Sequence, residues 1–112
     1  MGKHDIEFRN ISERIQKWNT FLITTHEAPD GDAIGSSLGL YWALREIGKE
    51  PYLFCKDEIP SHFLFLSGAR NFRTETPKQP VDAIFGLDYG SFKRLGIDEY
   101  RASFPSIPLI TI

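Results

Sequence analysis

Between residues 26 and 32 the chain carries one histidine and two aspartates: His26, Asp30 and Asp32, with Gly31 between the aspartates. A fourth candidate, Asp88, stands in "IFGLDYGS", directly after an apolar run. Three carboxylates brought together without a cation repel one another. At about 4 Å and an effective dielectric near 20, each pair of unit charges costs around 4 kcal/mol. Either the carboxyl pKa values rise or something positive sits among them. A divalent cation answers the charge and suits the donors. Imidazole with carboxylate favours Mn²⁺, Fe²⁺, Co²⁺ or Zn²⁺ over an ion that needs thiolates. Gly31 is expected to let the backbone turn so that Asp30 and Asp32 point to different sides, a geometry that could serve two ions.

Each of these residues also has a structural reading on its own. His26 could be a satisfied residue at a strand end. Asp32 is most simply a helix N-cap. Asp30 after Pro29, and Asp88 before Tyr89-Gly90-Ser91, could be turn residues. The functional reading depends on the elements that would gather all four.

About residues 7–18, "EFRNISERIQKW", carry Phe8, Ile11, Ile15 and Trp18 near helical spacing and predict an amphipathic helix. "TFLITT" predicts a strand. Residues 32–47 predict a helix opened by Asp32 and closed by Gly48. "PYLFC" and "VDAIFGL" predict further strands, with a loop that could hold one helical turn in "DEIPSHFLFLSGARNF" between them. Ser91 could cap a short helix, a further turn is expected near residues 98–104, and "IPLITI" predicts a fourth strand. Strands alternating with helices argue for α/β: a parallel sheet of three to four strands with flanking helices. Nearly continuous apolar strands indicate burial on both faces.

In such a sheet, ligands bind outside the carboxyl ends of the strands. His26 follows the first strand, Asp88 follows the third, and Asp30 and Asp32 lie in the loop from the first strand to its helix. All four are expected at one sheet edge. The helix start there favours anions, so it suits carboxylates and phosphate. In the helix, Gly35, Gly39 and Ala43 recur every four residues. Interior glycines cost about 1 kcal/mol each; a smooth ridge lying close on the sheet would offset that. Leu38, Leu40, Tyr41, Trp42, Leu44 and Ile47 suggest a largely buried helix.

The totals set the class. With 112 residues the chain makes one domain, 41% hydrophobic and 25% charged, with a formal net charge of -2. No basic field advertises duplex DNA, and no polybasic arm a membrane. Cys55, the single cysteine, reads as a buried thiol in a reducing, cytoplasmic compartment. The start is polar, so no secretory leader is expected there, and no stretch approaches the roughly 20 apolar residues of a membrane span. His4 and His62 read as surface residues, His62 in a loop away from the sheet edge. A domain rarely stops inside a buried strand, so the chain is expected to be a piece of a longer protein.

Other motifs fail on inspection. An EF-hand loop from Asp30 would need an oxygen ligand where Ile34 stands and Glu where Tyr41 stands. No G-x-G-x-x-G and no Walker lysine are present in "GDAIGSS". A phosphatase using Asp30 as nucleophile stays open as a distant alternative.

Residues 26–40, "HEAPDGDAIGSSLGL", resemble the first motif of the DHH phosphoesterase superfamily, a His-x-x-Pro-Asp-x-Asp-type signature running into a glycine- and serine-bearing helix. "LDYGSFKRLG" resembles its second motif, and "IPSHFLFL" the connector between them. The resemblance extends from about residue 10 to the end, and the chain looks most like the oligoribonuclease and pAp-phosphatase branch, related to RecJ-like exonucleases. Residue 28 is Ala where many relatives carry a polar residue.

The resemblance implies the N-terminal portion of a DHH-type, Rossmann-like domain over residues 1–112, ending before the Asp-His-His motif. It implies a metal-dependent phosphoesterase, with manganese as the expected metal, acting on short oligonucleotides or nucleotide phosphates such as pAp. His26 and Asp30 would hold a first ion, Asp32 a second, and Asp88 would bridge them; the three aspartates would be catalytic through the metals. Mg²⁺ or Co²⁺ are alternatives to Mn²⁺. Ser91 and Arg94 would contact substrate. The later metal ligands and a C-terminal DHHA1-type domain would lie outside these residues, so this portion alone is expected to be weak or inactive. A homodimer is an open expectation. The rival reading is a non-catalytic metal- or nucleotide-binding regulatory module of the same fold.

Overall fold

A computed structural model describes residues 13–26, 29–87 and 96–112. Its four strands, β1 (Thr20–Thr25), β2 (Glu50–Phe54), β3 (Ala83–Leu87) and β4 (Leu109–Thr111), form one sheet in the order β2-β1-β3-β4. All three pairings are parallel. Phe21 lies opposite both Pro51 and Ala83, and Ile23 opposite both Leu53 and Phe85, so β1 is paired on both sides. The chain steps from β1 to β2 on one side and reaches β3 on the other, so the β1/β3 pair is the topological switch point of the sheet.

The helices are α1 (described over residues 13–17), α2 (Gly31–Glu46) and α3 (Asp98–Ser103). The expected N-terminal helix therefore appears in its second half; residues 7–12 lie outside the described residues, as does Ser91 with the short helix expected there. The loop "DEIPSHFLFLSGARNF" holds two single 3₁₀ turns, Ser61–Phe63 and Ala69–Asn71. Among the described residues no helix is long and apolar enough to cross a membrane.

Side-chain alternation on β1 divides the core in two. Phe21 and Ile23 face α2, where they meet Ile34, Leu38, Tyr41 and Leu44. Phe21 and Phe85 stack there with ring centroids 5.7 Å apart. Leu22 and Ile84 face the other way, onto Ile97 and Tyr100 of the α3 segment. Burial on both faces is why β1 and β3 read as continuous apolar runs.

The α2 helix buries Ile34, Ser37, Leu38, Tyr41 and Leu44, an i, i+3, i+4, i+7, i+10 stripe. Ser37 is satisfied inside it by donating to the Ala33 carbonyl at 2.8 Å. Gly35, Gly39 and Ala43 are exposed, and an added Cβ at either glycine would meet nothing within 4 Å. The expected close ridge against the sheet is thus on the opposite side of the helix. The larger apolar stripe wins the sheet because it removes more apolar area from water. Trp42 and Ile47 are exposed as well, at 41% and 59%, so the helix is half-buried, not largely buried.

Gly48 ends α2 as expected, in the left-handed region at φ 81°. Its N–H donates to Arg45 and that of Lys49 to Leu44, at 3.0 and 2.9 Å, the paired bonds of a Schellman stop.

At the amino end of the sheet, away from the site, Asp82 ties β1 to β3. Its Oδ2 accepts from the Asn19 and Thr20 N–H groups at 2.7 and 3.1 Å. Its own N–H donates to Thr20. The Asn19 and then the Thr20 amide hold the Asp82 carboxyl below its ordinary pKa, helped by the Thr20 hydroxyl and Lys49 against a smaller effect of burial. A depressed pKa means that this stabilisation is present at neutral pH and is lost as pH falls through the folded-state value. Asp82→Ala is expected to lower stability by about 1 kcal/mol at pH 7, reduced from the buried-bond figure because the group is exposed. Urea unfolding should show the difference from wild type shrinking below about pH 4; a difference that grows on acidification would contradict the tie.

Candidate metal centre

The first strand delivers His26 to the carboxyl edge of the sheet, half-buried. Pro29 is buried, and Asp30 follows at the surface. Asp30, not Asp32, caps α2: it is extended, at φ -90° and ψ 178°, and its Oδ1 accepts from the Ala33 N–H at 2.8 Å. Asp32 lies in the first turn, exposed, where the helix dipole favours a carboxylate. The two aspartates thus stand on either side of the helix boundary, Asp30 as its cap and Asp32 within its first turn.

Gly31 serves that arrangement differently from the expectation. It is the first helical residue, and it is not among the glycines with left-handed backbone. Phe63 packs beside it, with ring carbons 3.4 and 3.6 Å from where a Cβ would stand, ordinary van der Waals contact. His62 packs on Phe63, ring centroids 4.1 Å apart. The connector after β2 therefore reaches the start of α2 through Phe63, while His62 is exposed and does not line the depression that His26, Asp30 and Asp32 share. The same connector is held along α2 by Trp42, which donates to the Ser67 carbonyl at 2.9 Å.

His26, Asp30 and Asp32 line one depression of about 490 Å³ together with Ala33, Ser36, Leu87 and Ile112. This is the switch point between the ends of β1 and β3. Asp88, Ser91 and Arg94 lie outside the described residues. Among the described residues no three His, Cys, Asp or Glu side chains converge closely enough for one ion. The structure thus brings the three expected groups to one depression without closing them into a cage. The donor chemistry fits a divalent cation: a carboxylate keeps acceptor capacity beyond one hydrogen bond, so the cap leaves Asp30 Oδ2 for a ligand. A depression of similar size, about 500 Å³, lies between the carboxyl end of β2 and the α3 segment, lined by Lys56, Glu75, Asp98, Glu99 and others. It has no imidazole and is away from the switch point, so it is not the candidate centre.

Sequence reasoning missed Phe63 and Ser36. Ser36 follows from α2 geometry, three residues after Ala33 on the same face. Phe63 has no local signal; only the path of the connector brings it to Gly31.

Residues 20–110 match the DHH family, N-terminal domain. The chain belongs to the DHH family. Over 61 residues, 54% of the chain, it is 48% identical to the bifunctional oligoribonuclease and PAP phosphatase NrnA of Thermus thermophilus, and the match spans 18% of that protein. Its DHH fold superposes on the crystal structure of an exopolyphosphatase-related protein from Bacteroides fragilis with a TM-score of 0.84 at 24% identity. That likeness covers 100% of this chain and 40% of the other, and at such identity it speaks to the fold. The chain spans less than half the length of either protein.

The cap separates two effects of changing Asp30. Asparagine caps as well as aspartate, whereas alanine does not. Asp30→Ala is expected to lower thermal or urea stability by about 1 kcal/mol, and Asp30→Asn to change it by only a few tenths. Equal losses in the two variants would show that the cap is not what the side chain contributes.

Proposed function

We propose that this chain carries part of a two-metal phosphoesterase centre, in a protein that hydrolyses nucleotide phosphates such as pAp or short single-stranded oligonucleotides. The observation that carries the reading is the sharing of one depression by His26, Asp30 and Asp32, at the switch point and beside the start of a 16-residue helix. The relative named for oligoribonuclease and PAP phosphatase activities supports the substrate class.

Manganese suits this donor set, with magnesium and cobalt as alternatives. His26 and Asp30 would hold the first ion, Asp32 the second, and Asp88 would bridge them. When bound, the pair supplies Lewis-acid stabilisation of the phosphoryl oxygens and a water-derived nucleophile at neutral pH. The chain's own groups do the rest. The cap bond fixes the Asp30 carboxylate against the helix, so its remaining oxygen is presented without a search over rotamers. The first turn of α2 favours a phosphate group beside the carboxylates. That dipole would oppose a bare cation, so the start of the helix favours metal and phosphate together over metal alone. Ser91 and Arg94 are the proposed substrate contacts. A protein of this kind would work in the cytoplasm, and a C-terminal domain would complete the substrate site.

Asp30→Asn and Asp88→Asn, made in the complete protein, test the assignment. Each is expected to lower manganese-dependent hydrolysis of pAp or a short oligoribonucleotide by more than roughly 100-fold, with the fold intact by circular dichroism. Wild-type turnover in either variant would contradict the ligand set. Metal-independent turnover would point to a nucleophilic aspartate, and a covalent phosphate trapped on Asp30 would confirm that rival.

A further inference from the structure

Two of the buried polar side chains, Thr25 and Cys55, lie beside the residue that the metal reading makes a ligand. Thr25 and Cys55 are each at 0% exposure, and neither lines the depression. They sit on either side of the residue that must present an imidazole. Cys55 follows β2 directly, and its Sγ lies 3.5 Å from the His26 carbonyl oxygen, within reach of a thiol donor. Thr25 precedes His26, and its hydroxyl donates to the Leu87 carbonyl at 3.3 Å.

These contacts occur where the backbone ladder of β1 runs out. Its last partners are Phe54 of β2, opposite Thr24, and Leu87 of β3, opposite Thr25. Beyond that point the His26 backbone is held toward β2 by Cys55, and the preceding residue toward β3 by Thr25. A valine would fill the space of Thr25 without burying a hydroxyl, which is unfavourable unless it is bonded. A threonine at this position therefore signals use of its oxygen.

We infer that Thr25 and Cys55 are positioning residues for His26, fixing where its ring stands above the sheet edge. This rests on the reading of His26 as a metal ligand. Both residues act through His26, as outer partners orient a ligand from behind.

Manganese titration of the metal-free protein, read by the EPR signal of the free ion, tests this alongside thermal unfolding without metal. The proteins compared are wild type, Thr25→Ser, Thr25→Val, Cys55→Ser and Cys55→Ala. The serine variants keep a donor; the other two remove it. Thr25→Val and Cys55→Ala are expected to bind Mn²⁺ about 10–100-fold more weakly, with the serine variants close to wild type. The affinities should not track the metal-free unfolding temperatures, as they would if the residues served packing alone. The two positions are independent, so failure to fold at one leaves the other to decide. Wild-type affinity in folded Thr25→Val and Cys55→Ala overturns the inference and leaves the metal reading standing. A wild-type protein that takes up no Mn²⁺ overturns both.

Discussion

Strand β1 is hydrogen-bonded to β2 on one side and β3 on the other, and residues 21–25 are all buried. A one-residue slip would turn Phe21 and Ile23 away from α2 and present Leu22 and Thr24 in their place. That register is therefore fixed by the two cores it separates. Once it is fixed, the position of His26 follows, because it is the next residue. The end of β3 follows too, since Thr25 lies opposite Leu87. A centre at the switch point of a parallel sheet inherits its precision from this buried pairing, while its candidate ligands stand just beyond the strand ends and at the start of α2, where they can still meet water and substrate.

The start of α2 joins stability to chemistry. A helix needs an acceptor for its first amides, and Asp30 provides one. The same carboxylate is a candidate ligand, so one side chain would hold the helix with one oxygen and a cation with the other. The connector meets this point through Phe63, which packs beside Gly31. Asp82 secures the opposite end of the same strand pair, far from the chemistry. Carboxylates thus act at both ends of the sheet: Asp82 ties the strands for structure alone, and Asp30 caps the helix and, in our proposal, serves catalysis.

Much of this was legible in the sequence. The four strands, the central helix and the parallel arrangement follow from apolar runs and their alternation with a helical period. The gathering of His26, Asp30 and Asp32 follows from the rule that strand ends carry ligands. What was not legible has physical reasons. Asp30 and Asp32 are two residues apart and equally able to cap, and a shift of the boundary by two residues exchanges their roles. Gly35, Gly39 and Ala43 share the period of the buried stripe, and periodicity alone does not say which of two stripes meets the sheet. The contacts of Phe63 with Gly31, and of Cys55 with His26, join residues about thirty positions apart, and no local pattern encodes them. Asp88, the expected bridge, lies outside the described residues.

The central claim is that this sheet edge holds a divalent metal through His26 and Asp30. The most direct test is a crystal of the protein grown with MnCl₂, with diffraction measured on both sides of the manganese absorption edge. The account predicts anomalous density in the depression between the ends of β1 and β3, in direct contact with the His26 imidazole and an Asp30 carboxylate oxygen. An empty depression at saturating manganese, or manganese bound at a different place on the molecule, would contradict it.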